Sequence, residues 1–114
     1  MELNLKKLEN TIVIYPQGRL DVHLTEEIEK EISLLIADET SSHLLLNLRE
    51  VEYMSSSGVA LFVSTMNTLQ QRGKQFALCD LNSSVRKILD LVEMTTLFKI
   101  FNTENEACEF LLTK

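Results

Sequence analysis

The apolar residues of this chain fall into two patterns that alternate along its length. Short runs rich in leucine or β-branched residues, such as residues 11–15 and 44–48, are typical of strands, and the second run indicates a strand buried on both faces. Between such runs, apolar residues recur every three or four positions, as Ile28, Ile32 and Ile36 do, which is typical of an amphipathic helix. This alternation predicts an α/β fold with a mainly parallel sheet.

Local signals mark where the predicted helices begin and end. We predict Thr25 as the N-cap of the first helix, a cap within residues 82–84 (Asn-Ser-Ser) for the third, and a capping box that starts at Thr103 in the last. The second helix is expected over residues 57–72, with Gly73 as the residue that ends it. The predicted strands are residues 3–8 (antiparallel to the next strand), 11–15, 44–48, 75–79 and 97–101.

Composition narrows the range of partners and chemistry. The chain has 114 residues, enough for one domain over residues 1–114, and its net charge of −6 disfavours nucleic acid or an anionic membrane as a partner. Cys79 and Cys108 lack metal-ligand spacing, and no signal peptide or membrane-spanning run is recognisable, so we expect reduced thiols in a cytoplasmic protein. His23 and His43 are isolated, so we expect surface or turn positions for both, with no metal and no cofactor.

The stretch over residues 53–62 is the strongest functional signal. It follows an apolar strand and places three consecutive serines, Ser55, Ser56 and Ser57, before Gly58 and the start of an apolar helix. The first amides of a helix lack acceptors within the helix and lie at the positive end of its dipole, so a phosphate on one of these serines would be both tolerated and displayed. The sequence therefore predicts a phosphorylation switch at this junction.

Other functions for the serine run are weaker. The simplest alternative is plain N-capping of the helix, without any regulatory role. A serine nucleophile would need an activating His–acid pair or a G-x-S-x-G elbow, and the chain shows neither, so we expect no enzyme activity. Nucleotide binding is disfavoured because no P-loop or G-x-G-x-x-G motif is present.

Three short elements make the chain resemble a known family. They are Gly-Arg-Leu-Asp at residues 18–21, Met-Ser-Ser-Ser-Gly-Val at residues 54–59 and the Cys-Asp-Leu-Asn turn at residues 79–82. Together with the order of strands and helices, they resemble the STAS domain and, more narrowly, the bacterial anti-sigma-factor antagonists. The resemblance extends over essentially the whole chain. It implies a mixed sheet of four or five strands flanked by about four helices.

The same resemblance implies a regulatory cycle. An unphosphorylated antagonist binds an anti-sigma factor that is also a serine/threonine kinase, and this binding frees a sigma factor. The kinase phosphorylates the antagonist on the first serine of the Ser-Ser-Gly element, and a serine phosphatase reverses the modification. The implied partners are thus an anti-sigma factor with kinase activity and a phosphatase.

Carried onto this chain, the resemblance makes Ser56 the acceptor and Ser57 the alternative if the register slips by one residue. The implied partner-binding surface comprises Asp21, Ser55, Ser56, Ser57 and Gly58. The best-known antagonists have an Asp where this chain has Ser55, a difference that bears on recognition by a kinase. A second hypothesis follows, in which the domain is an unphosphorylated interaction module in a signalling or transporter assembly. Asp21 has a structural alternative as well, which is to cap the approach to the first helix.

Overall fold

The computed structural model of the protein describes residues 4–38 and 42–114. Within these ranges the chain forms seven strands and four helices, which alternate for most of its length. In chain order they are β1 (Asn4–Leu8), β2 (Thr11–Tyr15), β3 (Gly18–Leu20), α1 (Val22–Asp38), β4 (His43–Asn47), β5 (Val51–Met54), α2 (Ser56–Gln71), β6 (Phe76–Cys79), α3 (Ser83–Leu91), β7 (Lys99–Phe101) and α4 (Glu104–Leu112).

Five of the described strands form one mixed sheet in the order β1-β2-β4-β6-β7. Strand β1 runs antiparallel to β2, and the remaining neighbours are parallel, as expected when helices connect successive strands. The predicted fold class, a mixed and mainly parallel sheet flanked by four helices, is confirmed. The first residue predicted for the first strand, residue 3, lies outside the described residues.

The two faces of this sheet carry separate apolar cores. Residues of β4 alternate between them, because successive side chains on a strand point to opposite faces: Leu44 and Leu46 belong to the larger core, and Leu45 belongs to the smaller one. The larger core packs against α1, α2 and α3, and the smaller core packs against Ala107 and Leu111 of α4. Strand β4 is therefore buried on both faces, as its leucine run predicted.

Strands β3 and β5 pair in parallel outside the main sheet. The backbone N–H of Gly18 donates to the carbonyl of Glu50 at 2.9 Å, which begins the pairing, and the pairing continues to Leu20 and Met54. This small sheet leads directly into α1 at one strand end and into α2 at the other. It therefore sets the relative positions of the starts of these two helices.

Helix boundaries agree with the local signals at three places. The side chain of Asn82 accepts from the backbone N–H of Val85 at 3.0 Å, and Thr103 Oγ1 accepts from the N–H of Glu106 at 3.2 Å, so both predicted N-caps are confirmed. Gly73 has φ 70° directly after the C-cap of α2, which is the left-handed conformation that favours glycine.

The start of α1 was predicted incorrectly. The helix begins at Val22, three residues before Thr25. Asp21 caps it instead: its Oδ1 accepts from the N–H of Leu24 at 2.9 Å, and its carbonyl accepts from the N–H of Thr25 at 2.9 Å. A carboxylate at the end of β3 reaches the open amides of the first turn, whereas Thr25 already lies inside that turn.

Candidate partner-binding site at the start of helix α2

The pairing of β3 with β5 brings two predicted site residues to one edge of the molecule. Leu20 lies opposite Met54, and the backbone N–H of Ser55 donates to the carbonyl of Leu20 at 2.9 Å. Asp21 follows Leu20 and Ser55 follows Met54, so the first turns of α1 and α2 start side by side. Sequence positions more than thirty residues apart thus form one surface.

Gly58 allows α2 to lie close against this small sheet. A Cβ atom added to Gly58 would lie 2.6 Å from Cγ of Met54 and 3.5 Å from Cβ of Leu20. Atoms at the first of these distances overlap, so only glycine fits without a shift of Met54. The glycine that the resemblance assigns to partner binding therefore has a packing role within the domain.

The three consecutive serines occupy different environments. Ser55 is the N-cap residue of α2 with extended backbone (φ −85°, ψ 173°), yet its side chain makes no capping hydrogen bond and its Oγ is buried without a partner among the described residues. Ser56, the first residue of the helix, is exposed, and Ser57 is half-buried. Of the three serines, Ser56 is the most exposed.

The backbone at the start of α2 is suited to negative charge. The carbonyl of Ser55 accepts from the N–H groups of Gly58 and Val59 at 3.0 and 3.2 Å. The N–H groups of Ser56 and Ser57 have no acceptor in the described part of the chain, and they lie at the positive end of the helix dipole. An anion attached to Ser56 would therefore lie in a favourable field.

Asp21 is exposed and lies beside this helix start, where its carboxylate also caps α1. The structural alternative that the sequence left open is therefore correct, and it does not remove Asp21 from the surface. Two residues earlier, the guanidinium of Arg19 lies over the ring of Tyr53, 4.4 Å from its centroid. Exposed groups of both charges thus flank the starts of α1 and α2.

Two grooves run along neighbouring sides of α2 and share Ala60 and Ser64 in their linings. The first, which we call the Ser56 groove, has a volume of about 660 Å³, and none of the described residues that line it is charged. Its principal lining residues are Ser56, Val59, Ala60, Val63, Val92 and Met94. The second, the α1–α2 groove, has a volume of about 360 Å³ and is lined by Ser57 together with the carboxylates Glu26 and Glu29. The apolar first half of α2 is thus buried on one side and borders an open apolar groove on another.

A second polar cluster lies at the carboxyl ends of β4 and β6, and the sequence analysis missed it. The buried Asn47 donates from Nδ2 to Glu104 at 3.0 Å and to Asp80 at 3.3 Å, and Lys6 forms an ion pair with Glu104 at 2.7 Å. Burial raises the pKa of Glu104, but hydrogen bonds from Lys6, Tyr15 and Asn47 outweigh it, so the pKa lies below its ordinary value. The one local signal was a polar residue, Asn47, ending an otherwise apolar strand.

The histidine prediction was wrong for His43. His23 is exposed, but His43 is 2% exposed within β4, and its Nδ1 accepts from the backbone N–H of Gln75 at 2.9 Å. Burial, and then the charge of Lys74, lowers the pKa of His43 and favours the neutral imidazole that this bond needs.

The described residues form neither a cluster of metal ligands nor a membrane-spanning helix. Across residues 4–38 and 42–114, no group of three or more His, Cys, Asp or Glu side chains is arranged to hold a metal ion. In the same ranges, no helix combines the length and apolar character that crossing a bilayer requires. Both cysteines, Cys79 and Cys108, are free thiols.

Comparison with known proteins identifies the family. Residues 2–107 match the sequence profile of the STAS domain, so the chain belongs to the STAS domain family. It is 22% identical over 107 residues to the anti-sigma F factor antagonist of Paenibacillus polymyxa, which covers 94% of this chain and 92% of that protein. It is 26% identical over 102 residues to the anti-sigma-B factor antagonist of Staphylococcus epidermidis, covering 88% of this chain and 94% of the relative.

Solved structures agree with this assignment. The anti-sigma factor antagonist SpoIIAA in its unphosphorylated form superposes with a TM-score of 0.83 at 26% identity, over 99% of this chain and 98% of that one. SpoIIAA of Bacillus in its phosphorylated form superposes with a TM-score of 0.71 at 27% identity, over 95% and 97%. The resemblance to bacterial anti-sigma-factor antagonists that the motifs indicated is confirmed.

Proposed function

We propose that this protein is an anti-sigma-factor antagonist that binds an anti-sigma factor around the start of α2 and is released by phosphorylation of Ser56. The observation that carries the proposal is the exposed position of Ser56 at the first turn of a helix, next to an apolar groove. The names of the relatives support the same function. The anti-sigma factor is proposed to be a serine/threonine kinase, and a serine phosphatase is proposed to restore the binding form.

The environments of the serines favour Ser56 as the acceptor over its neighbours. The hydroxyl of Ser55 is buried, and Ser57 is half-buried in a groove that also contains Glu26 and Glu29. A phosphate on Ser57 would meet these two carboxylates, whereas no acidic residue lines the Ser56 groove. In the proposed reaction, Ser56 Oγ attacks the γ-phosphorus of ATP, ADP leaves, and a base of the kinase takes the hydroxyl proton.

The proposed switch acts on the interface rather than on the fold. A phosphate at the first turn of a helix is stabilised by about 0.3–1 kcal/mol, so the domain stays folded. At the interface, the same charge of about −1.5 to −2 must be desolvated against an apolar groove or placed against an acidic partner. Unfavourable charge of this kind costs several kcal/mol, and each ~1.4 kcal/mol weakens binding about tenfold.

Reconstitution with purified kinases tests the proposal. Each anti-sigma-factor kinase of the source organism is mixed with this protein and MgATP, and binding is followed by calorimetry and modification by intact-mass analysis and phosphopeptide mapping. We expect one phosphate on Ser56 and loss of binding after modification. The Ser56→Ala variant should bind the anti-sigma factor and stay bound when ATP is present. The Ser56→Asp variant should not bind it.

Ser83→Asp is the matched control. Ser83 is exposed and is also the first residue of a helix, α3, so this variant adds the same charge at a helix start that lines neither groove. It should bind like the unmodified protein, and both Asp variants should keep or slightly raise the midpoint of thermal unfolding. A phosphate on Ser57 would move the acceptor by one residue. Stable binding without any phosphate would favour the unphosphorylated interaction module.

A further inference from the structure

The α1–α2 groove combines acidic walls with an apolar floor. Its principal lining residues are Val22, Thr25, Glu26, Glu29, Ser57 and Ala60. Glu26 and Glu29 are exposed, neither has an ion-pair partner among residues 4–38 and 42–114, and no lysine or arginine lines the groove. The groove therefore presents two uncompensated negative charges next to the predicted docking surface.

A buried hydroxyl at the floor also lacks a partner. Thr25 is 6% exposed and lines the groove, and its Oγ1 forms no hydrogen bond with any described residue. The great majority of buried polar atoms are hydrogen-bonded, so the unpaired hydroxyl of Thr25 retains capacity for one more hydrogen bond, as donor or acceptor. An N–H group that reached this oxygen from the groove would donate to it, and the same group would be attracted by Glu26 and Glu29.

A basic side chain of this protein lies in the continuation of the α1–α2 groove. The α1–α2 groove continues toward the other end of both helices, where Glu29, Leu61 and Ser64 line both sections. Arg72 lies in that continuation, and its Nη1 donates to the carbonyl of Ile36 at 2.7 Å. One end of the cleft between α1 and α2 thus already holds a guanidinium, while the end beside Ser57 holds none.

We propose that the α1–α2 groove receives an arginine or lysine side chain of the anti-sigma factor. This inference rests on the proposed function and adds the chemistry of the contact. The apolar floor accommodates the alkyl stem of such a side chain, and the carboxylates bind its charged end. Ser56 lines the neighbouring Ser56 groove and not this one, so a phosphate there acts on the apolar contact rather than on the basic one.

Paired neutral substitutions on α1 test the proposal. Glu26→Gln/Glu29→Gln removes both carboxylates of the groove, and Glu27→Gln/Glu31→Gln makes the same change in net charge at positions that line neither section of the cleft. The binding partner is the anti-sigma factor identified in the experiment with Ser56→Ala. We expect the first pair to raise the Kd for this partner by about 2- to 5-fold per carboxylate and to make the Kd less dependent on salt concentration. The control pair should change the Kd less than about twofold. Equal effects of the two pairs would overturn the proposal.

A second measurement needs no protein partner. A negative result would therefore contradict the proposed groove contact without bearing on the proposed function. The ¹⁵N-labelled protein is titrated with N-acetyl-arginine amide and, separately, with the uncharged isostere N-acetyl-citrulline amide. The arginine compound should shift the amide signals of Thr25, Ser57 and Ala60, and Glu26→Gln/Glu29→Gln should weaken its binding. Shifts absent from these residues, equal for both compounds, or unchanged in that variant would contradict the assignment.

Discussion

Gly58→Ala is the substitution whose effect follows most directly from the geometry of the site. The new Cβ would lie 2.6 Å from Cγ and 3.3 Å from Sδ of Met54, which is itself 1% exposed and has little room to move. Overpacking of this kind costs about 1–3 kcal/mol, and the better helix propensity of alanine, which reaches about 1 kcal/mol in a helix interior, returns only part of that at the third residue of α2. We therefore expect the free energy of unfolding to fall by about 1–2 kcal/mol.

The predicted loss corresponds to a measurable shift in the midpoint of thermal unfolding. At about 2.1 cal/mol/K per residue, a chain of 114 residues unfolds with an entropy of about 0.24 kcal/mol/K, so 1 kcal/mol shifts the midpoint by about 4 °C. Circular dichroism should thus show a decrease of about 4–8 °C, with a matching decrease in urea denaturation. Because either Met54 or α2 must move, the amide signal of Ser56 should also shift in the NMR spectrum.

A double-mutant cycle isolates the contact with Met54. In a Met54→Ala background the obstructing atoms are gone, so Gly58→Ala should become neutral or stabilising, with a coupling energy of about 1–3 kcal/mol. Gly73→Ala is the control, because Gly73 has φ 70° and no heavy atom near its added Cβ, so its cost should be the same in both backgrounds. The reasoning is refuted if Gly58→Ala is as stable as the unmodified protein, or if the cycle shows no coupling.

Three further predictions concern the cap residues and the buried histidine. Asp21→Ala should lower the free energy of unfolding by about 0.5–2 kcal/mol, because the N–H of Leu24 loses its acceptor. Asp21→Asn should keep most of that stability, and urea denaturation of both variants measures the difference. Ser55→Ala should cost less than about 0.5 kcal/mol in the same assay, because Ser55 Oγ makes no capping bond, and a loss near 1 kcal/mol would contradict the structure. Burial lowers the pKa of His43 below 6.5, so the unfolded chain binds more protons than the folded protein below that pH. The contribution of His43 to the free energy of unfolding should therefore be constant above about pH 6.5 and decrease on acidification toward the folded-state pKa. Urea denaturation between about pH 7.5 and about pH 5.5 should show a flatter profile for His43→Gln, and an unchanged slope would rule out this residue as the source.

Features set by a few neighbouring residues were predictable from the sequence. The N-caps at Asn82 and Thr103 and the helix end at Gly73 depend on groups three or four residues apart, and they occur where predicted. The first helix is instructive because Asp21 and Thr25 are both acceptable caps by residue type. Asp21 is the cap because the end of β3, held by β5, places its carboxylate at the open amides of α1.

The sequence by itself determined the four helices, the five strands of the main sheet with their mixed and mainly parallel arrangement, and the family to which the chain belongs, because hydrophobic period and short motifs act locally. It did not predict the paired strands β3 and β5. Only the tertiary structure decided which serine is most exposed, that Asp21 and Ser55 share one edge, and that carboxylates line one side of α2. Contacts such as those of Asn47 with Asp80 and Glu104 join residues 33 and 57 positions apart. Such contacts arise when separate elements pack against each other, and no local pattern of residues specifies them.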